Sequence, residues 1–154
     1  MCKSIPVGVL LLSLALTACV DKGRDVASKQ SSAAIPSDPV QAGLNLRLQQ
    51  GRRIFLQHCA ACHGPQAQGA PDWRKRDAQG RLPPPPLNGS GHDWHHSLAT
   101  LKEIILSGSA AEQGNMPAWK GKLSDAQIDA ILAWLQSLWP PAVYAAWQEM
   151  HAKP

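Results

Sequence analysis

The chain has 154 residues, of which 44% are hydrophobic and 17% charged, and its formal charge is +4. That is room for one small domain once terminal segments are set aside, and no internal repeat points to a solenoid. The slight excess of 15 Lys and Arg over 11 Asp and Glu is no signature of nucleic-acid binding, and no segment alternates convincingly as a strand would.

In chain order, Met1-Cys2-Lys3 is a short positive start, and an apolar stretch from Val7 to Ala15 runs into Leu16-Thr17-Ala18-Cys19. This has the form of an export signal, and its end resembles the lipobox of bacterial lipoproteins. The resemblance implies that residues 1–18 are a lipoprotein signal peptide, cut before Cys19, whose thiol then carries a diacylglycerol. The apolar stretch from Ile5 to Val20 has 16 residues, short of the roughly 18–20 that span a hydrocarbon core. An uncleaved anchor and a plain secretory signal cut near Ala18 are the alternatives. A multiply acylated cysteine anchors stably where one chain does not. Val20 in place of an aspartate leans the expected location toward the outer membrane, on its periplasmic side.

Residues 19–42 are Lys, Asp, Ser, Ala, Gln and Pro with few large apolar side chains, the composition of a flexible tether. The domain is expected over 43–140. Leu44, Leu48, Ile54, Phe55 and Leu56 recur at helical spacing up to Cys59. Gly51 interrupts that helix at a cost of about 1 kcal/mol relative to Ala, so a packing reason is expected there.

Cys59-Ala60-Ala61-Cys62-His63 is a C-x-x-C-H element, the spacing that attaches a c-type haem. Two thiols three positions apart can each add to a vinyl group on one porphyrin edge. The histidine that follows is then positioned to ligate the iron. A zinc site would need a second ligand pair to join the thiols, and the sequence has no further C-x-x-C; a thioredoxin-like redox pair would need a βαβ context, which is also missing. The four cysteines then divide into Cys2 with the signal, Cys19 lipidated, and Cys59 with Cys62 as thioethers, leaving none for a disulfide. Loss of Lys3 lowers the formal charge from +4 to +3, and two haem propionates lower it further.

From Gly64 to His96 the chain is irregular, rich in Gly, with prolines at 83–86. So long a loop in a small domain argues against ordinary packing unless it wraps a cofactor. Within it, Trp73 and Arg74-Lys75-Arg76 form a basic face, either simply solvated or a dock for an acidic partner. Gly91-His92-Asp93-Trp94-His95-His96 invites a second metal through His92, His95 and His96. The adjacency of two of these histidines and the absence of a thiolate argue against it. A helix is predicted from Leu98 to Ser107, capped by Ser97 and stopped by Gly108. A further helix follows the Ser124 cap, with Ile128, Ile131, Leu132, Leu135 and Leu138 as its stripe, and Pro140-Pro141 ends it. The extension 141–154 reads as a short extra helix with Val143, Ala146, Trp147 and Met150 on one side. His58 and His151 have no evident partner.

With these pieces in place, residues 44–140 resemble the class I cytochrome c domain, a small all-α monohaem electron carrier. The likeness rests on Gly51, Ile54, Phe55, Cys59, Cys62, His63 and Gly64, and on Ser124-Asp125 leading an Ile/Leu helix that carries Trp134. The resemblance implies three main helices and long loops wrapping one covalent haem c, with the first and last helices crossing near Gly51. It implies His63 as proximal iron ligand and Met116, in Gly114-Asn115-Met116-Pro117, as distal ligand. It implies a proline carbonyl on the proximal histidine, mapping to Pro85 with Pro86 one residue off in register. Trp94 is a possible contact at the haem edge.

A thioether–imidazole pair raises the reduction potential relative to two histidines, and it leaves the iron no vacancy. The implied function is a monohaem cytochrome carrying single electrons at the periplasmic membrane surface, not itself an enzyme. Its donor and acceptor would be redox proteins: an oxidase, a dehydrogenase or a copper protein. A haem enzyme or ligand-binding sensor with a labile sixth ligand is the alternative.

Overall fold

The computed structural model describes residues 38–111 and 113–151. The expected signal peptide, Cys19 and the tether as far as residue 37 lie outside the described residues. Helix α1 spans Pro39–His58. Asp38 caps it by accepting the Val40 N–H at 2.9 Å, and Pro39 suits the first turn, where a missing N–H costs nothing. The helix therefore starts four residues before the expected domain boundary at 43. The local cap outweighs the polar composition of this stretch, whose side chains are mostly exposed.

One turn, α2 (Ala60–His63), continues directly from α1. After the long loop, α3 (Leu98–Ser107) begins at Ser97, whose side chain accepts the Thr100 N–H, and ends at Gly108. Helix α4 (Asp125–Ser137) starts from a full capping box: Gln127 N–H bonds Ser124 Oγ, while Ser124 N–H bonds Gln127 Oε1 at 2.8 Å. Helix α5 spans Pro141–His151. Among the described residues there is no strand, so the all-α expectation holds.

Helices α1 and α4 cross at Gly51, where a Cβ would lie 1.9 Å from the Ala130 carbonyl oxygen. This is the packing reason for the glycine: the backbones approach too closely for any side chain. Beside the crossing, Phe55 packs on Trp134 with ring centroids 4.7 Å apart. Phe55, Ile128 and Ile131 are fully buried, each contributing about 1.5–3 kcal/mol of transfer free energy.

The loop 64–97 is fastened rather than loose. Leu87 N–H bonds Ala67 O at 2.8 Å, and Ala70 N–H bonds Pro84 O at 2.9 Å. A 3-10 turn, Asp93–His95, is held from the C-terminal side. Trp147 on α5 donates its indole N–H to His96 O at 2.9 Å, and Trp139, just after α4, donates to Leu87 O at 3.2 Å. The loop thus closes over one side of the α1–α4 pair.

Candidate cofactor site

The end of α1 and the turn of α2 present Cys59, Cys62 and His63 together. Cys59 is half-buried and Cys62 exposed, and both are free thiols. Burial, with the Cys62 thiol beside it, pushes the Cys59 thiol up to about 11. His63 is only 8% exposed, and its Nδ1 lies 3.0 Å from the Pro85 carbonyl oxygen. Burial lowers its pKa, with the Pro85 hydrogen bond opposing. A neutral ring donating from Nδ1 to that carbonyl keeps Nε2 as a lone-pair ligand. The backbone selects Pro85 over Pro86: Leu87 is tied to Ala67, and Gly69 lets the chain pass so close that a Cβ there would lie 2.3 Å from Pro86 N.

These residues form one wall of a cavity of about 610 Å³. Phe55, Leu101, Ile105, Ile131 and Leu135 make its lining largely apolar, and Met116 belongs to the same wall system. Met116 is half-buried on the loop between α3 and α4. A cavity of this size between helices is in the range that encloses a cofactor. Two thiols, a neutral histidine and a thioether around one apolar space are the donor set a covalent haem requires, so the residues fit the group.

Trp94, expected as a possible contact at the haem edge, is not among the residues lining the cavity and stacks on His95 with centroids 3.8 Å apart. The tight 3-10 turn sends Asp93 inward instead. His92, Asp93 and His96 line the cavity, with His92 stacked on Trp73 at 5.4 Å. Asp93 is 5% exposed; its Oδ2 accepts the Trp139 indole N–H at 3.1 Å, while its buried Oδ1 has no partner. Burial pushes this carboxyl up to about 6. Nothing local in the sequence distinguishes Asp93 from a surface acid, and this is the site residue the sequence reading missed. Among the described residues no group of three or more His, Cys, Asp or Glu is arranged to hold a metal ion; His92 and His96 meet edge-on with ring centroids 5.7 Å apart. His58, without evident partner in the sequence, meets Trp119 edge-on at 5.2 Å in the cavity wall. His151 lies against Trp147 at 5.5 Å.

Residues 46–135 match the family described as cytochrome c oxidase, cbb3-type, subunit III. The chain belongs to this family. It is accordingly a c-type cytochrome domain of the cbb3 type, with covalent haem c as its cofactor. The chain is 34% identical over 92 residues to the cbb3-type cytochrome c oxidase subunit CcoP of Azospirillum sp. (strain B510), covering 60% of this chain and 29% of that relative. It is 35% identical over 88 residues to subunit FixP of Bradyrhizobium sp. (strain ORS 278), 57% of this chain and 26% of the relative. Subunit FixPc of Rhizobium leguminosarum bv. viciae is 31% identical over 103 residues, 67% of this chain and 30% of the relative. The chain thus spans less than a third of the length of these three relatives. No solved structure matches it. The cbb3-type match ends within α4, so α5 and its grip on the 3-10 turn lie beyond it.

Proposed function

We propose that this cbb3-family domain is a single-electron carrier, exchanging electrons with a membrane oxidase complex and with a redox donor, without itself catalysing a reaction. Cys59 and Cys62 form the thioethers, His63 is the proximal ligand and Met116 the distal one. The observation that carries this reading is His63: its Nδ1 is 3.0 Å from Pro85 O, and it shares one cavity with both cysteines and Met116. Haem bound there supplies one-electron exchange between ferric and ferrous iron.

The protein's own part is to orient, to exclude water and to set the potential. Pro85 fixes the tautomer and plane of His63 and increases its basicity. The apolar walls limit water at the iron, and the Met116 thioether favours the ferrous state. A lipid on Cys19 would keep the domain at the periplasmic membrane surface, on the polar run that precedes α1.

The test is spectroscopic. A pyridine haemochrome assay should give one covalent haem per chain. The oxidised protein should show the weak long-wavelength sulfur-to-iron band, and the reduced protein should not take up carbon monoxide. Met116→Ala should remove the band, lower the potential and admit carbon monoxide. A band that survives in Met116→Ala would overturn the ligand assignment. Rapid carbon monoxide binding by the unaltered protein would indicate a ligand-binding haem protein instead.

A further inference from the structure

Besides the bonds from the Trp119 and Lys120 N–H groups to the Ile105 and Leu106 carbonyls of α3, the loop that carries Met116 is fastened at two places outside the helices. The first comes from just beyond α3. Ser109 accepts the Met116 N–H on its Oγ at 3.0 Å, and its own N–H bonds Met116 O at 3.0 Å. Ser109 therefore holds both backbone polar groups of the methionine. Gly108 makes this approach possible: its φ is +73°, and a Cβ would lie 2.6 Å from Met116 O.

The second fastening crosses from the long loop. Arg81 Nη1 donates to Asn115 Oδ1 at 2.9 Å, on the residue directly before Met116. Beside it, Leu82 N–H bonds Gln113 O at 2.9 Å. The rest of the guanidinium is committed to its own turn. Nε and Nη2 lie 3.2 and 3.1 Å from Asp77 Oδ2, and Nη2 also reaches Gln79 Oε1 at 3.1 Å. Asp77 Oδ1 in turn accepts the Arg81 and Gln79 N–H groups at 2.8 and 2.9 Å. A planar fork held this way at one end presents a fixed donor at the other. Ser109, Asn115, Asp77 and Leu82 all border the cavity.

We propose that Ser109 and Arg81 are positioning residues for the sixth ligand, holding the Met116 backbone so that the thioether stays on the iron. The proposal rests on the reading of Met116 as that ligand. A methionine is a weak, neutral ligand on a long flexible side chain. How often it leaves is set by how often its backbone moves. An exogenous ligand can bind only the open form, so its apparent affinity rises in proportion to the open fraction. Loss of one such hydrogen bond should raise that fraction roughly tenfold.

The experiment titrates oxidised, haem-loaded protein with imidazole. Ser109→Ala should tighten apparent imidazole binding roughly tenfold, and Ser109→Thr, which keeps the hydroxyl, should restore most of the original value. Arg81→Ala and Asn115→Ala should each tighten binding, and the double variant should do no more than either alone, because both delete one contact. In a Met116→Ala background all of these substitutions should leave imidazole affinity unchanged. Full additivity of Arg81→Ala and Asn115→Ala, or no response to Asn115→Ala, would overturn the role of Arg81. Equal affinities for Ser109→Ala and the unaltered protein would overturn that of Ser109. If the unaltered protein lacks the sulfur-to-iron band, the ligand assignment fails first, and the positioning role with it.

Discussion

Trp139 donates its indole N–H to the Asp93 carboxylate at 3.1 Å, in the interior beside the cavity. This bond favours ionisation, but burial outweighs it and holds the carboxyl at about 6, above its ordinary 3.8. The native state therefore keeps a proton that the unfolded chain releases. Through this group stability falls as pH rises from about 4 to about 6, then levels off. Asp93→Asn removes that loss. Its advantage over the unaltered protein should grow with pH to on the order of 1–3 kcal/mol above pH 7, read as a shift in the urea midpoint of holoprotein at pH 5 and pH 8. Parallel curves at the two pH values would contradict the assignment.

Gly51→Ala should destabilise the fold although alanine is the better helix former. A Cβ 1.9 Å from a backbone oxygen forces α1 and α4 apart, and that overpacking outweighs the gain of about 1 kcal/mol in propensity. The expected net loss is on the order of 2 kcal/mol in chemical denaturation, with haem content retained. A stabilised variant would mean that the helices cross elsewhere.

Removing both thiols, by Cys59→Ala with Cys62→Ala, should prevent covalent loading and cost the domain its tertiary order. Without haem the largely apolar lining of a space of about 610 Å³ would face water, and at about 1.5–3 kcal/mol for each large apolar side chain left unburied this rivals the whole stability of a small domain. Near-UV circular dichroism should collapse, and a hydrophobic dye should bind. A native near-UV spectrum without haem would show that the walls close by themselves.

Cys19→Ser should release the protein from membranes into the soluble fraction, which fractionation and immunoblotting can follow. Retention would point to an uncleaved N-terminal anchor. Appearance of the unaltered protein in the inner-membrane fraction would count against the outer-membrane leaning drawn from Val20.

Local features of the fold were legible in the sequence because their signals lie within one turn. Ser97 and Ser124 cap helices whose first turns follow them directly. The Cys59–His63 spacing specifies its cofactor within five residues. Gly51 announced a close contact by being costly where it stood. The start of α1 was equally local, in Asp38-Pro39, but the polar composition of the surrounding residues concealed it. The inward turn of Asp93 rather than its neighbour Trp94 was not legible, because the direction of each side chain in a 3-10 turn depends on what covers it.

The amino-acid order by itself determined that haem is attached, where helices α3 and α4 begin, and that Gly51 needs a packing reason. Only the tertiary structure decided which carbonyl meets His63, that Asp93 is buried under Trp139, and that Arg81 reaches the residue before Met116. Those pairs are 22, 46 and 34 residues apart. Helix caps and motif spacing act through bonds to near neighbours and need no knowledge of the fold. A contact across tens of residues exists only once α1 and α4 have crossed and the long loop has closed over them.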